Sequence, residues 1–291
     1  MEIEGGVVTM NISIIGSGWV GTAIGKGFLE LGNEVIFYDV VDKKLPNFTK
    51  DINYAITHTE ASFICVPTPT IDNEIDLSYI KEATKNVGKA IANKDYHLVV
   101  IKSTVVPDTT EKVIIPILET YSGKKAGEFG VCMNPEFLTE ISSSWSDDRS
   151  NKKDFLNEDR IVIGEYDKKS GDMLEVLYSP LKPIFRTDLR TAELIKYVAN
   201  CALAAKVSFW NEIFLLCKEL NINTETVADI VSIDPRIGKY GTVHGKAFGG
   251  SCLPKDTKAL ISFAKKYREV KLLKAVDEIN EEMKIDYGVR E

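Results

Sequence analysis

Asn11-Ile12-Ser13-Ile14-Ile15-Gly16-Ser17-Gly18-Trp19-Val20-Gly21 decides how the first half of this chain folds. Its opening residues form a short apolar run ending on glycine, the pattern of a strand buried on both faces of a parallel sheet. The next six fit G-x-G-x-x-G, and Thr22 to Leu31 carry a helical pattern. A glycine triplet alone also marks ordinary turns. Set between a strand and a helix it reads as a phosphate loop, in which Gly16 permits the tight turn and Gly18 the close approach of a pyrophosphate. Gly21 lets helix and strand touch, and Trp19 and Val20 complete the loop. The helix N-terminus offers free amides and the positive end of its dipole to the anion. Glu34–Tyr38 reads as the second strand, closed by Asp39 eighteen residues after Gly21. A carboxylate there accepts from ribose hydroxyls and repels a 2′-phosphate, which favours NAD over NADP.

Similar apolar runs follow at Ala61–Val66, His97–Ile101, Gly130–Met133 and Arg160–Ile163, with helical patterns such as Tyr79–Ile91 between several of them. This alternation predicts an α/β fold, a Rossmann-type doubly wound parallel sheet, up to about Arg186. Thr191–Leu220 then reads as one long helix free of Gly and Pro, with more helix at Thr224–Ser232, Pro254–Tyr267 and Val270–Lys284. The expected organisation is a cofactor domain over residues 1–188, followed by a long helix and a helical domain over residues 189–291. Ser142–Asp159, the most polar segment, is expected to be a surface excursion.

Composition narrows the function. A chain of 291 residues suggests about two domains. With 36 basic and 43 acidic side chains the net charge is −7, which argues against nucleic acid as a partner. The longest tempting apolar stretch, Tyr197 to Ala205, falls well short of the ~20 residues that span a membrane. The start of the chain has neither a basic nor an apolar leader region. Five cysteines, an odd number, do not suggest a disulfide framework, and a cytoplasmic location is expected. No Cys/His spacing resembles a metal site, so no metal is expected. His58, His97 and His244 are scattered and receive no catalytic role.

Phe248-Gly249-Gly250-Ser251-Cys252-Leu253-Pro254-Lys255-Asp256 is the most unusual segment. Glycines let the backbone turn and approach a ligand, and Pro254 suits the first turn of a helix. Cys252 then falls near that helix's N-terminus, where the dipole and Lys255 would favour the thiolate. Asp256, four residues on, shares its face. A thiol beside a carboxylate in a glycine-rich bend points to covalent catalysis. Cys65, Cys132, Cys201 and Cys217 read as small apolar filler.

Taken in order, these blocks resemble the nucleotide-sugar dehydrogenases, the UDP-glucose/GDP-mannose dehydrogenase family. The resemblance runs through Gly16–Gly21, then Ile64-Cys65-Val66-Pro67-Thr68-Pro69 and Lys102-Ser103-Thr104-Val105-Val106-Pro107. It continues through Asn134-Pro135-Glu136-Phe137-Leu138-Thr139-Glu140 and Arg160–Gly164. Ala192-Glu193-Leu194-Ile195-Lys196-Tyr197 through Asn200, Asn211-Glu212, Asp234–Gly238 and Phe248–Asp256 complete it. It implies oxidation of a sugar C6 alcohol to a carboxylate with two NAD and one water, Cys252 being the nucleophile. Lys196 and Asn200, four apart on one helical face, would stabilise the oxyanion, while Asp256, Thr104 and Glu140 would position or deprotonate water. Pro67, Thr68, Thr104, Glu136 and Lys255 would lie near the cofactor. Glu136, Phe137, Leu138, Arg236, Phe248 and Gly249 would join Lys196, Asn200 and Cys252 around the nucleotide sugar, UDP-glucose first, with GDP-mannose and UDP-N-acetylmannosamine as alternatives.

Three departures are expected: a shortened Val40–Thr57 segment, a lengthened Ser142–Asp159, and no further nucleotide-gripping domain after Tyr267. The long helix carries apolar residues on more than one face (Leu194, Val198, Leu203, Val207, Phe209, Trp210, Phe214), so it is buried within the chain or across a two-fold axis. The resemblance implies a homodimer. A two-electron β-hydroxyacid dehydrogenase would use Lys196 and Asn200 but not Cys252. A non-catalytic NAD-binding dimer would need none of the three.

Overall fold

The computed structural model describes residues 9–139, 153–179, 181 and 183–290. The chain begins with β1 (Asn11–Ile15), α1 (Trp19–Glu30), β2 (Glu34–Tyr38), β3 (Phe48–Thr49), α2 (Ile52–Thr57) and β4 (Ala61–Ile64). A hairpin, β5 (Thr70–Ile71) and β6 (Glu74–Ile75), precedes α3 (Ser78–Ile91), β7 (Leu98–Ile101), a π-helical turn at Thr110–Ile114, α4 (Ile115–Ser122) and β8 (Gly130–Met133). Next come a 3-10 turn at Phe155–Asn157, β9 (Ile161–Glu165), α5 (Lys168–Tyr178), β10 (Ile184–Asp188) and α6 (Leu189–Glu219). The remainder is α7 (Thr224–Val231), β11 (Ala247–Phe248), α8 (Leu253–Ala264), α9 (Lys271–Tyr287) and β12 (Val289–Arg290).

Two compact units result. The first holds Met1–Pro69, Asp76–Leu138 and Lys153–Lys196, and the second Thr70–Ile75, Thr139–Lys152 and Tyr197–Glu291. In the first, among the described residues, eight strands form one sheet in the order β10-β9-β8-β7-β4-β1-β2-β3. All pairs are parallel except β8 with β9, so the expected parallel sheet is in fact mixed. Sheets of this class commonly carry such a reversed pair toward one edge. β10, not expected from the sequence, is a partly exposed edge strand; its Arg186 and Asp188 mask the apolar run.

One face of the sheet is wholly apolar, with Ile12, Ile14, Phe37, Phe63, Val100 and Ile163 all inaccessible. Phe28 of α1 packs against Phe63, Phe155 and Tyr178, with ring centroids 4.8 to 5.1 Å apart. Phe155 lies inside the segment expected to be a surface excursion. Residues 142–152 of it lie outside the described residues, but its end is anchored in the core, because burying an aromatic ring outweighs the polar character of its neighbours.

The second unit is mainly helical, with a small core of Ala204, Val207, Phe248 and Val276. Its β5–β6 hairpin turns on Asp72 and Asn73, both at positive φ, as a two-residue primed turn requires. β11 pairs in parallel with β12. The 31-residue α6 is roughly 46 Å long at helical rise. None of the described helices is long and apolar enough to cross a membrane.

Candidate active site

The glycine loop leaves the carboxyl end of β1, which stands between β2 and β4 where the strand order reverses. Doubly wound sheets open their ligand crevice at such a point. Gly16 has a φ of +95° and donates its amide to the Tyr38 carbonyl at 2.9 Å. A β-carbon on Gly21 would collide with the Gly16 carbonyl oxygen, so only glycine lets α1 sit this close. At Gly18, the N-cap of α1, a β-carbon would meet nothing within 4 Å. That side of the loop is an open cradle. No side chain caps α1 and no acidic residue occupies its first turn, so its amides and dipole are left for an anion.

Asp39 accepts from the Ser17 amide at 2.9 Å through Oδ2 and from the Val41 amide at 3.0 Å through Oδ1. It therefore braces the loop and still has lone pairs for a ribose hydroxyl. This set fits a dinucleotide. Trp19 is 48% exposed at the loop's outer edge and Val20 is half-buried.

Two neighbouring loops of this unit are laced together. Thr68 Oγ1 donates to the Thr104 carbonyl at 2.6 Å, and Ser103 Oγ to the Val66 carbonyl at 2.7 Å, while Pro67 stays exposed. Beside them lies a buried polar cluster that spacing did not reveal. Lys102, 2% exposed, follows the last residue of β7 and donates to Asn134 Oδ1 at 2.8 Å, with Pro135 O and Tyr178 OH each at 3.4 Å. Tyr178 OH donates to the same Asn134 oxygen at 2.7 Å. Burial pulls the Lys102 ammonium below its ordinary proton affinity, opposed by Glu158 and Glu136. Burial likewise raises the Glu158 carboxyl, against the pull of Lys102.

Asn134 thereby fixes the turn into Glu136. Glu136 Oε1 receives Lys196 Nζ at 3.2 Å with both side chains nearly inaccessible, and Oε2 takes the Leu138 amide at 2.7 Å. A buried ion pair of this kind leaves an uncompensated charge if either partner is removed. Phe137 lies beneath it, 5.5 Å from Lys196 Nζ, with the Arg160 guanidinium 3.9 Å from its ring centre. Glu193, one turn before Lys196 on α6, accepts the Thr110 amide at 2.7 Å and is otherwise sealed from water. Burial pushes its carboxyl up to about 7.

In the second unit Cys252 is the N-cap of α8, and its thiol is exposed, 3.5 Å from Ser251 Oγ. The Asp256 amide closes the first turn on the Cys252 carbonyl at 2.9 Å. Asp256, 1% exposed, accepts from Asn200 Nδ2 through Oδ2 and from Lys255 Nζ through Oδ1, both at 2.6 Å. Lys255 is therefore engaged with a carboxylate rather than left free for the thiol. Arg236 is likewise turned onto Asp234 at 2.6 Å, with its side chain 87% exposed. Phe248 is buried, and Gly249 donates to the Arg290 carbonyl at 3.1 Å. Glu140 lies outside the described residues.

Cys132, Cys201 and Cys217 are buried, and burial pushes the thiols of Cys65 and Cys201 up to about 12, as inert filler requires. Among the described residues no cluster of His, Cys, Asp and Glu is arranged to hold a metal. The sequence reading missed Lys102, Glu158 and Tyr178, although a lysine directly after a wholly apolar strand was a usable signal.

The description of the NAD-binding domain of the UDP-glucose/GDP-mannose dehydrogenase family matches residues 41–182, and that of its central domain residues 190–282. The chain is 36% identical to a UDP-glucose 6-dehydrogenase of Haloferax volcanii, over 94% of its own length and 70% of that protein's. It belongs to the UDP-glucose/GDP-mannose dehydrogenase family. Another relative in this family, a GDP-mannose 6-dehydrogenase of Pseudomonas aeruginosa, is 39% identical over 86% of the chain and 63% of its own length. The solved UDP-glucose dehydrogenase of Pyrobaculum islandicum superimposes with a TM-score of 0.87 at 35% identity, covering 97% of this chain and 70% of that one. The chain thus spans 63 to 70% of the length of these relatives. Members of the family are NAD-dependent oxidoreductases acting on nucleotide sugars, and the cradle at Gly18 is consistent with the cofactor.

Proposed function

We propose that this chain oxidises the C6 alcohol of a nucleotide sugar to a carboxylate, with UDP-glucose as first-choice substrate. Residues 1–188 supply the cofactor domain and residues 189–291 the thiol. The observation that carries this reading is the exposed Cys252 thiol at the N-cap of α8, one turn from a buried Asp256 held by Asn200. A structural cysteine has no need of that exposure or of a helix terminus.

NAD, when bound, accepts the hydride from carbon in each of two oxidations. The Cys252 sulfur adds to the aldehyde carbon formed first, and the thiol proton passes to the carbonyl oxygen to give a thiohemiacetal. Loss of its C–H as hydride and of its hydroxyl proton to solvent leaves a thioester, and water then cleaves the C–S bond to release acid and thiol. Lys196 and Asn200 hold the oxyanion that develops at this carbon. Asp256 takes the proton of the attacking water, and Thr104 and Glu140 position it. Lys255 and Glu136 help to hold the cofactor, and Arg236, Phe137, Leu138, Phe248 and Gly249 surround the sugar nucleotide.

The outward residues Val198 and Phe209 of α6, 51% and 53% exposed, form the contact of a homodimer. A free, exposed thiol suits a reducing compartment, which supports a cytoplasmic location. Incubating the purified chain with NAD and a panel of nucleotide sugars tests the reading. UDP-glucose should yield two NADH per sugar, and Cys252→Ala should yield no acid. One NADH per sugar with Cys252 dispensable would sink it.

A further inference from the structure

Two asparagines hold the backbone that leads into Cys252. Asn211 of α6 is inaccessible; its Oδ1 accepts the Gly245 amide and its Nδ2 donates to the Lys246 carbonyl, both at 2.9 Å. Asn280 of α9 is 3% exposed; its Oδ1 accepts the Phe248 amide at 2.7 Å and its Nδ2 donates to the Phe248 carbonyl at 3.1 Å. Each carboxamide thus uses donor and acceptor together on the main chain, as a neighbouring strand would. The other edge of this segment is held by β12: the Ala247 amide bonds to Gly288 O at 3.0 Å and the Gly249 amide to Arg290 O at 3.1 Å. The Phe248 ring is sunk in the unit's core.

The rail ends abruptly. Gly250 has a φ of +75° and open space where a β-carbon would stand, and Ser251 and Cys252 are exposed. Only Gly250 and Ser251 separate the clamped Gly249 from the thiol at the N-cap. Without Asn211 and Asn280, a short glycine-containing segment carrying several buried main-chain groups would lose their partners.

We propose that Asn211 and Asn280 are positioning residues: a pair of carboxamide clamps that fix the Gly245–Gly249 rail and so aim the Cys252 sulfur. The inference rests on the reading of Cys252 as nucleophile. It adds that the aim of the sulfur is set from α6 and α9, on the inner side of the loop, and that affinity for NAD is set elsewhere. A shift of about 1 Å at a reacting atom is enough to cost 100-fold in rate.

Asn211→Asp and Asn280→Asp test this, because each keeps shape and acceptor while replacing the donor with an oxygen facing a carbonyl. Four quantities are read: kcat and the KM for NAD with UDP-glucose, the alkylation rate of Cys252 by iodoacetamide followed by peptide mass, and the thermal midpoint. The expected result is a 10- to 100-fold fall in kcat, an unchanged KM for NAD, and an alkylation rate changed at least threefold. Should a variant be destabilised, the same measurements at 10 °C decide: a loss that persists in fully folded protein supports the clamp, and one that recovers overturns it. Both variants within twofold of the parent in kcat and alkylation would also overturn it. Failure of the nucleophile reading shows separately, as full acid production by Cys252→Ala.

Discussion

Replacing Glu193 by glutamine should make the protein more stable relative to the parent at pH 8 than at pH 4.5. The Glu193 carboxyl is inaccessible on α6, with one oxygen on the Thr110 amide and, among the described residues, no hydrogen-bond partner for the other. Burial raises it from 4.5 to about 7; the hydrogen bonds from Thr110 act against the shift and the charge of Asp108 adds to it. Between these two values the folded protein keeps a proton that the unfolded chain has lost. The stabilising contribution is therefore complete below pH 4.5 and is lost as pH rises through about 7. Holding a proton up to that pH corresponds to about 3 kcal/mol. That is a large share of the ~5–15 kcal/mol that holds a typical domain together. Glutamine has no proton to lose and can still accept from Thr110. Urea unfolding of both proteins at pH 4.5, 6 and 8 should show the difference, variant minus parent, climbing by about 3 kcal/mol across the series. A difference constant to within about 1 kcal/mol would refute the buried-carboxyl reasoning.

His97 gives the opposite slope: burial, helped by the charge of Lys94, pushes its imidazole down to about 3, so the folded state refuses a proton that the unfolded chain accepts below about 6.5. About 2 kcal/mol of stability should be lost between pH 6.5 and pH 5, and thermal melts of His97→Asn should lack that component; identical pH dependence in the two proteins would contradict it. Gly21→Ala should weaken NAD binding at least tenfold by calorimetry, since its β-carbon would displace the Gly16 turn and the cradle at Gly18; an unchanged affinity would dissociate the loop from the cofactor.

What the sequence made legible was chemistry that is local along the chain. The Gly16–Gly21 loop, the strand before it and the helix after it lie within one short stretch, and so do Cys252, Pro254 and Asp256 at the start of α8. Boundaries moved only slightly, as where α1 starts at Trp19 rather than Thr22. β10 was missed because a half-exposed edge strand lacks the unbroken apolar run that betrays a central one. The reversal of β9 was missed because strand direction leaves no mark on apolar patterning.

The pairings were the illegible part, and they govern the chemistry. Read singly, Lys196, Asn200, Asp256 and Lys255 look like free groups aimed at a substrate. In the fold Lys196 meets Glu136, sixty residues away, and Asp256 meets both Asn200 and Lys255. Asp256 is thereby fixed by two donors, both at 2.6 Å, so its carboxylate cannot turn elsewhere without giving one of them up. Lys196 is fixed in the same way, its Nζ lying 3.2 Å from a Glu136 carboxylate oxygen. Position along the chain names the groups; only folding supplies the partner that sets where each one points.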